Sequence, residues 1–281
     1  MGDAEGRLWM GAICMSSNES RKRAARAFQA ANPGTSYTRA LRQVTHGQRR
    51  PLTAALGAGL DGARVSVNLE WESQGGSGPH CLIVGDEVPS LMAVLAAGLA
   101  ADQRPGDLEL VLCASEATRL PVEHRRFGAA ELVGHVDELL VSRHEFLRSV
   151  DARDVADARQ NGHQVPTTVV LIEDHDGNWS ASEPLGRWVR IGRSSGVNLV
   201  VGAAAASPSI SADDTSPARV LDRLARAALA GDAAFMNMTA ATIFGLGDHR
   251  ATLRTLGGWN PVRRVQEADA LVDFTFTAPG S

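Results

Sequence analysis

Short, mainly apolar runs recur along the chain between longer stretches of mixed polarity. Such runs are typical of strands that are buried on both faces of a parallel sheet. One further segment, Val65–Leu69, alternates apolar and polar residues and predicts a half-buried strand. The mainly apolar runs predict buried strands at His80–Val84, Leu108–Cys113, Thr167–Ile172 and Val197–Val201.

The stretches between these runs have the length and spacing of helices. Pro89 falls in the first turn of one predicted helix, a position that proline tolerates. Alternation of strands and helices indicates an α/β fold, with a mostly parallel sheet covered by helices on both faces. The predicted helices are Pro89–Ala101, Ala129–Val150 with a polar continuation over Asp151–Gln160, Leu185–Ser194 and Pro217–Ala230, and weaker strand patterns follow at Ala233–Met238 and Ala270–Phe276.

Residues 1–62 show no pattern of alternating strands and helices like that of the rest of the chain. We expect residues 1–20 to be a flexible leader, and Met10 and Met15 are alternative starts. Two short helices are predicted at Arg21–Ala31 and Tyr37–Val44, and Pro51–Gly62 is predicted to link them to the main domain. The predicted division is therefore 1–20, a basic helical segment and linker over 21–62, and the main domain over 63–281.

The charge of the chain is unevenly distributed. The net charge is −4, but the segment from Ser20 to Arg50 has no acidic residue. Such a basic arm on an acidic body suits binding to DNA, docking onto an acidic partner or onto the body itself, or solubility alone, and the sequence leaves all three open. The basic residues of this arm are Arg21, Lys22, Arg23, Arg26, Arg39, Arg42, Arg49 and Arg50.

The cysteines and the length of the apolar runs indicate where in the cell the protein is expected. The three cysteines are widely spaced, and Cys81 and Cys113 lie in apolar runs, which predicts buried free thiols and a reducing cytoplasm. The longest apolar run, Leu91 to Ala101, is too short for a membrane span. We therefore expect a cytoplasmic protein that associates with a membrane only through a partner.

The strand His80–Val84, a glycine and the following helix form a phosphate-binding arrangement. A helix N-terminus offers backbone N–H groups and a positive dipole end to an anion. The P-loop pattern is G-x-x-x-x-G-K-[ST], and in this chain Gly85 stands at the position of its first glycine. The remaining positions are filled by Asp86, Glu87, Val88, Pro89, Ser90, Leu91 and Met92.

These residues lack the groups that hold a triphosphate. Leu91 stands where a lysine neutralises the β- and γ-phosphates, and Met92 stands where a hydroxyl binds Mg²⁺. Asp86 and Glu87 add negative charge where phosphates would approach, and Pro89 removes a backbone donor. We therefore expect no cofactor and no resident metal, with weak binding of ATP and magnesium as the alternative.

Several blocks, in order, resemble one known family. The run from Gln74 to Gly85 is similar to the segment before the P-loop of FtsK/SpoIIIE-type ATPase domains, and nearest to the EccC ATPases of type VII secretion. The resemblance implies a RecA-like P-loop NTPase fold and covers about Val65 to Ala206, with a weaker tail to Phe276. The other matching blocks are Pro105–Leu112, Arg143–Arg148, Val169–Asp174 and Ile191–Val201.

The departures from the family pattern bear on activity. Glu173-Asp174 reverses the acidic pair that follows the family's Walker B strand. Ala114, Ser115 and Glu116 stand where the family has Asp-x-Lys, and Ala203-Ala204-Ala205 stands where it has Thr-Gln-Arg. Arg193 matches a family arginine, one that the resemblance allows to face a neighbouring subunit's nucleotide.

Other polar residues carry weaker hypotheses. Glu173, Asp174, His175 and Asp176 are either a metal site or, as we favour, a solvated loop at a strand end with its turn at Asp176-Gly177. His135 and His144 on the long helix are expected to be exposed. Ser194 and Ser195 lack the G-x-S-x-G context of a nucleophile.

Three functions follow from these observations. The first is a catalytically inactive ATPase-fold protein that serves as a binding or assembly module of a secretion or DNA-transfer machine, with a protein partner or copies of itself. The second is an ATP-binding, DNA-translocating ATPase completed by a partner subunit. The third is a DNA-binding accessory protein that uses the basic arm. Enzymatic activity stays open, with the sequence favouring its absence.

Overall fold

The chain forms one large mixed sheet with helices on both faces. The computed structural model describes residues 22, 25–30, 33–38, 40, 50–70, 76–85, 87–174, 179, 183–203, 239–255, 259–260, 265–266 and 270–279. The strands are β1 Thr53–Gly59, β2 Arg64–Asn68, β3 His80–Val84, β4 Leu108–Cys113, β5 Arg125–Arg126, β6 Thr167–Asp174, β7 Val197–Ala203, β8 Thr239–Gly247, β9 Arg250–Thr255, β10 Trp259–Asn260, β11 Val265–Gln266 and β12 Ala270–Thr275. The helices are α1 Val88–Ala101, α2 Ala129–Ser149, α3 Val155–Gln160 and α4 Glu183–Ser195.

Ten of these strands form the sheet, in the order β2-β1-β12-β9-β8-β3-β7-β6-β4-β5. The six strands from β8 to β5 are parallel, and the four from β2 to β9 continue the sheet with antiparallel pairs. Every residue of β3, β6 and β7 is buried, because layers of side chains cover both faces there. The predicted α/β fold with a mostly parallel sheet is confirmed.

Helices cover the sheet in two layers. On one face α1 packs against β3, β6 and β7 and also against β1, so the antiparallel end of the sheet turns over this helix. Gly98 makes this close approach possible, because a Cβ there would lie 2.9 Å from the backbone N and O of Ala55. On the other face, α2 and α4 enclose a second core that includes Trp188, which is fully buried.

Two predicted boundaries are wrong, and two strands were not predicted. Residues of the predicted linker Pro51–Gly62 form β1, which pairs with β2 and β12. The polar continuation Asp151–Gln160 does not continue the long helix: Asp151 has a φ of 52°, and α3 begins anew with Asp154 accepting a 2.7 Å bond from the Asp157 N–H. The strands β8 and β9 are absent from the prediction.

The basic arm is described only in part. Residues 25–30 are helical, as are 37, 38 and 40, in agreement with the two predicted helices over the positions that the structure describes. The leader 1–20, the predicted helix Pro217–Ala230 and the predicted strand Ala233–Met238 lie outside the described residues. Among the described helices, none is both long enough and apolar enough to cross a bilayer.

Candidate functional site

The residues singled out for phosphate and metal binding meet at one edge of the sheet. Because β3, β4, β6 and β7 are parallel, their carboxyl ends lie together, and the register aligns Val84 with Ala203, Ala203 with Asp174, and Ile172 with Cys113. Gly85 follows β3, Ser115 follows β4, and Glu173 and Asp174 end β6. In open α/β sheets this edge is where ligands bind.

The turn after β3 depends on Gly85. Its φ is +129°, which L side chains rarely adopt, and a Cβ would lie 2.6 Å from the carbonyl oxygen of Gly245 in β8. The Gly85 N–H donates a 3.2 Å hydrogen bond to the Ala203 carbonyl at the end of β7. The turn is therefore held between the two strands that flank β3. The neighbouring Asp86 lies outside the described residues.

The first turn of α1 fills the space behind this glycine with apolar side chains. Leu91 and Met92 are fully buried, and Val88 is 4% exposed. Pro89 and Ser90 are the second and third residues of α1 and are only partly buried. The positions that would carry a lysine and a magnesium-binding hydroxyl thus belong to the core.

Gly202, on the strand β7 beside β3, makes room for two of these side chains, and Gly245 on β8 lies close to the third. At Gly202 in β7, a Cβ would overlap Cγ1 of Val88 and lie 2.6 Å from Cε of Met92. At Gly245 in β8, a Cβ would lie 3.4 Å from Cδ1 of Leu91. Sequence reasoning missed both glycines, although each stands near the carboxyl end of a parallel strand, where a side chain would meet α1.

Glu87, predicted to repel phosphates, is bonded to the far end of the chain. Its Oε1 accepts a 3.0 Å hydrogen bond from the backbone N–H of His249, in the turn between β8 and β9. His249 Nδ1 is 3.5 Å from the same oxygen, and its ring makes an edge-on contact with Phe276. The side chain of Glu87 is 17% exposed, and its Oε2 is buried without a hydrogen-bond partner. The carboxylate therefore ties the β8–β9 hairpin to the start of α1.

Glu173 is anchored by the loop after β4. Its Oε2 accepts hydrogen bonds from the Thr118 hydroxyl at 2.8 Å, the Ser115 N–H at 3.0 Å and the Ser115 hydroxyl at 3.1 Å. Thr118 is fully buried and Glu173 is 7% exposed. Ser115, which stands at the variable position of the family's Asp-x-Lys pattern, thus donates two hydrogen bonds to the carboxylate.

Arg126 holds this loop in place. Its Nη1 donates 3.0 Å hydrogen bonds to the carbonyls of Ala114 and Ser115, and its Nη2 donates to the carbonyl of Thr118. Burial raises the pKa of the adjacent Cys113 thiol, and Arg126 partly offsets that rise. Sequence reasoning did not find Arg126, whose role depends on the fold bringing β5 beside β4.

The acidic pair is not the solvated loop that we expected. Glu173 and Asp174 are the last residues of β6, at 7% and 4% exposure, because the strand continues two residues past the apolar run. Asp174 Oδ1 accepts a 3.1 Å bond from the Trp179 N–H. His175 and Asp176 lie outside the described residues, and no metal-binding group of three or more acidic, histidine or cysteine residues occurs among those described.

Arg193 lies at the opposite edge of the sheet from Gly85. It belongs to the last turn of α4, just before the start of β7, and is exposed. With Arg159, Thr167 and Asn198 it lines a small cavity of about 20 Å³. Since parallel strands separate the two edges, Arg193 and the β3 turn of the same chain do not share a site.

His80, at the start of β3, is fully buried near this edge. Its Nδ1 accepts a 3.1 Å hydrogen bond from the Leu199 N–H, so Nε2 carries the proton and donates to the Val189 carbonyl at 3.2 Å. Burial lowers the pKa of His80 to about 4, the bond to Val189 opposes this, and Arg193 lowers it further. Sequence reasoning missed this histidine.

Of the eight basic residues of the arm, the structure describes the side chains of three. Arg50 Nη1 lies 3.1 Å from Asp102 Oδ1, just beyond α1, with both side chains more than half exposed. Lys22 is partly buried and Arg26 is exposed. Arg21, Arg23, Arg39, Arg42 and Arg49 lie outside the described residues.

The remaining predictions have mixed outcomes. Cys81 and Cys113 are buried free thiols, as expected, and burial raises the pKa of Cys81 to about 12. His144 is exposed as predicted, but His135 is partly buried, because its ring stacks on Phe127 at 4.6 Å between centroids.

No family model matches the chain. By sequence it is similar to the ESX secretion system protein EccC of Thermomonospora curvata, at 28% identity over 183 residues. That match covers 55% of this chain and 14% of the relative, so the chain spans a small part of the relative's length.

Solved structures extend the likeness to most of the chain. The cytoplasmic domain of the type VII secretion ATPase EccC from Thermomonospora curvata superposes with a TM-score of 0.59 and 20% identity, over 82% of this chain and 29% of that one. The pCW3 conjugation coupling protein TcpA, solved with ATPγS, gives 0.52 and 12% identity, over 82% and 66%. ATPases 2 and 3 of EssC from Geobacillus thermodenitrificans give 0.51 and 12% identity, over 83% and 45%. The chain has the fold of these ATPase domains, as its sequence resemblance implied.

Proposed function

We propose that this chain, which has the fold of the EccC-type ATPase domains, is a binding or assembly module that does not use ATP. The observation that carries the proposal is the first turn of α1. The helix end that would receive phosphates is packed with Val88, Leu91 and Met92, of which the last two are fully buried. A triphosphate there would have to displace core side chains and would meet neither a cation nor a hard oxygen ligand for magnesium.

The two carboxylates at this edge support the same proposal. Glu87 is bonded to His249, and Glu173 is bonded to Ser115 and Thr118. Each acid thus stabilises a contact between distant parts of the chain. The domain keeps its fold although its own side chains fill the edge where a nucleotide would bind. Such a domain can still act through its outer surfaces, which suits a binding or assembly role.

The machine is inferred from the relatives. EccC belongs to a secretion system, TcpA is a conjugation coupling protein, and one EccC structure holds a signal sequence peptide. We accordingly place the module in a secretion or DNA-transfer machine, in the cytoplasm, with a protein partner or copies of itself. Any contact with a membrane would then come through that partner.

Calorimetric titration of the full chain with ATP and Mg²⁺ tests the proposal. The expected result is no binding heat up to about 1 mM nucleotide. A thermal-unfolding series provides a second measurement, because a ligand at 100 times its Kd stabilises a protein by about 2.7 kcal/mol. A P-loop ATPase with an intact lysine is the positive control. Magnesium-dependent binding in the micromolar range would overturn the proposal.

A second candidate function rests on Arg193. This residue is exposed at the edge opposite the β3 turn, where a neighbouring subunit has access to it. A DNA-translocating ATPase completed by a partner would use such an arginine and the acids Glu173 and Asp174. Turnover measured with and without DNA, on the wild type and on Arg193→Ala, distinguishes this candidate, which requires turnover that the substitution abolishes.

A third candidate, a DNA-binding accessory protein, rests on the basic arm. The contact between Arg50 and Asp102 favours docking of the arm on its own body at that one residue. Gel-shift measurements at two salt concentrations, with and without residues 1–50, test DNA binding. Salt-sensitive affinity that disappears with the arm would support this candidate.

A further inference from the structure

The helices α2 and α4 pack side by side on one face of the sheet, and their outer sides form a surface of the molecule. Both helices connect parallel strands on the same face of the sheet, so they run in the same direction. Asp137 of α2 fixes their relative height: its Oδ1 accepts 2.8 Å hydrogen bonds from Arg187 Nη2 and from the Trp188 indole N–H. A residue of α2 that lies a given number of positions after Asp137 is therefore at about the same height along the helix axes as the residue of α4 that lies the same number of positions after Arg187.

An exposed apolar side chain follows on each helix, one turn beyond this contact. Val141 is four residues after Asp137 and is 58% exposed, and Ile191 is four residues after Arg187 and is 41% exposed. Residues at i and i+4 share a helix face, so each of the two leans toward the other helix. Together they form an apolar patch along the groove between α2 and α4.

Charges of opposite sign flank this patch. The exposed row of α2 carries Glu138 and Glu145, seven residues apart, and the exposed side of α4 carries Arg190. Glu138 is one residue past Asp137 and Arg190 is three past Arg187, so their levels differ by about 3 Å at 1.5 Å per residue. The acidic row lies on one side of the groove and the arginine on the other.

We propose that this surface binds a second copy of the chain. A two-fold axis parallel to the groove places α2 of one copy over α4 of the other. The rotation keeps each residue at the same position along the axis in both copies. The Val141–Ile191 patches then cover one another, and Glu138 of each copy faces Arg190 of its partner. The arrangement is isologous, because the same patch serves both copies and the pair formed by Glu138 and Arg190 occurs twice.

The size of the surface fits a stable contact. α2 has 21 residues and spans about 30 Å. α4 has 13 residues and spans about 20 Å. With a width of about 10 Å for each helix, the two present a face of roughly 500 Å² per copy, or roughly 1,000 Å² buried in a pair, which is about the minimum for a specific interface. The inference does not depend on the nucleotide edge, so ATP binding and pairing are separable in experiment.

Sedimentation velocity of the full chain, from about 2 to 200 µM, measures the pairing directly. The wild type is expected to form a dimer that weakens as salt rises, because the facing charges are partly exposed. Glu138→Arg and Arg190→Glu each place like charges together twice in the pair and should weaken it at least about tenfold. The double variant E138R/R190E restores both pairs and should dimerise again.

Matched variants separate pairing from folding. Glu123→Arg and Arg104→Glu make the same charge changes at exposed positions outside this face and should leave the dimer intact. Val141→Asp tests the apolar patch at an exposed site and should give a folded monomer, checked by circular dichroism. A wild type that stays monomeric at 200 µM would overturn the proposal and leave the face to another partner. So would a dimer insensitive to these substitutions, or a charge swap that fails to restore it.

Discussion

The backbone N–H of His249 donates a 3.0 Å hydrogen bond to the carboxylate of Glu87, 162 residues earlier in the chain. This bond connects the β8–β9 hairpin to the residue that opens α1. His249 adopts a φ of 57°, in a turn that presents its N–H to the acid. An acid that sequence analysis treats as a barrier to phosphates is therefore also a structural contact.

Removing this carboxylate should destabilise the protein. Glu87→Ala leaves the His249 N–H without its acceptor, and because the bond is exposed to water its loss should cost about 0.5–1.5 kcal/mol. Glu87→Gln keeps an acceptor at Oε1 and replaces the unpartnered Oε2 with an amide, so its cost should be smaller. Urea unfolding measures both, with Glu116→Ala as the control, since the Glu116 side chain is 84% exposed. A Glu87→Ala protein as stable as the wild type would contradict the assignment.

The glycine at 202 should be intolerant of any side chain. Gly202→Ala places a methyl group against Val88 and Met92, and overpacking of this kind costs about 1–3 kcal/mol. Val88→Ala removes the nearer of the two obstructions and leaves the flexible end of Met92, so the double variant should be more stable than the two single effects predict when added. The control is Gly134→Ala on α2, where a Cβ meets nothing within 4 Å and higher helix propensity should be mildly stabilising. Additive costs at 202 and 88 would show that the two sites do not touch.

The sequence predicts the parallel half of the sheet well because its strands are buried on both faces. Mainly apolar runs such as His80–Val84 and Leu108–Cys113 follow from that burial, and the predicted bounds of both strands agree with the structure. β1 gave no such signal. It consists mainly of alanine and glycine, and its burial depends on Gly98 of α1, which is distant in sequence.

The candidate site shows the same division. Local spacing identifies the turn at Gly85 and the residues after it, since a P-loop is a contiguous pattern. It does not reveal what those residues contact. The partners of Glu87 and Glu173 are His249 and Thr118, and the space for Met92 is provided by Gly202, all distant in the chain. Such contacts follow from the order of strands in the sheet, which a single sequence does not specify.

The hydroxyl of Thr118 should contribute strongly to stability. Thr118→Val keeps the shape of the side chain but removes a 2.8 Å bond to a buried carboxylate, at a cost of about 1.5–3 kcal/mol. In a Glu173→Gln background the acceptor is neutral, so the same substitution should cost less. A double-mutant cycle in urea measures the difference. Thr275→Val, at an exposed site, is the control and should change little. Equal costs in the two backgrounds would rule out the proposed pairing.

Stability should fall with acidity because His80 is buried in its neutral form. Its pKa is about 4 in the folded chain and 6.5 as the ordinary value, so below pH 6.5 the unfolded state takes up a proton that the folded state does not. The free energy of unfolding should therefore decline from about pH 6.5 to about pH 4, by up to roughly 3 kcal/mol in total.

The upper part of that range excludes the carboxylates, which are largely ionised above pH 5, and leaves the histidines, of which His135 also has its pKa lowered by burial. Urea unfolding at half-unit intervals from pH 7 to 5 gives the slope, which for one proton cannot exceed about 1.4 kcal/mol per unit. His80→Gln, whose side-chain amide donates to Val189 in place of the ring N–H, should remove most of the slope, and the smaller burial effect on the pKa of His135 should remain. His144→Gln, at an exposed position, should leave it unchanged. The wild-type slope persisting in His80→Gln would assign the pH dependence to another group.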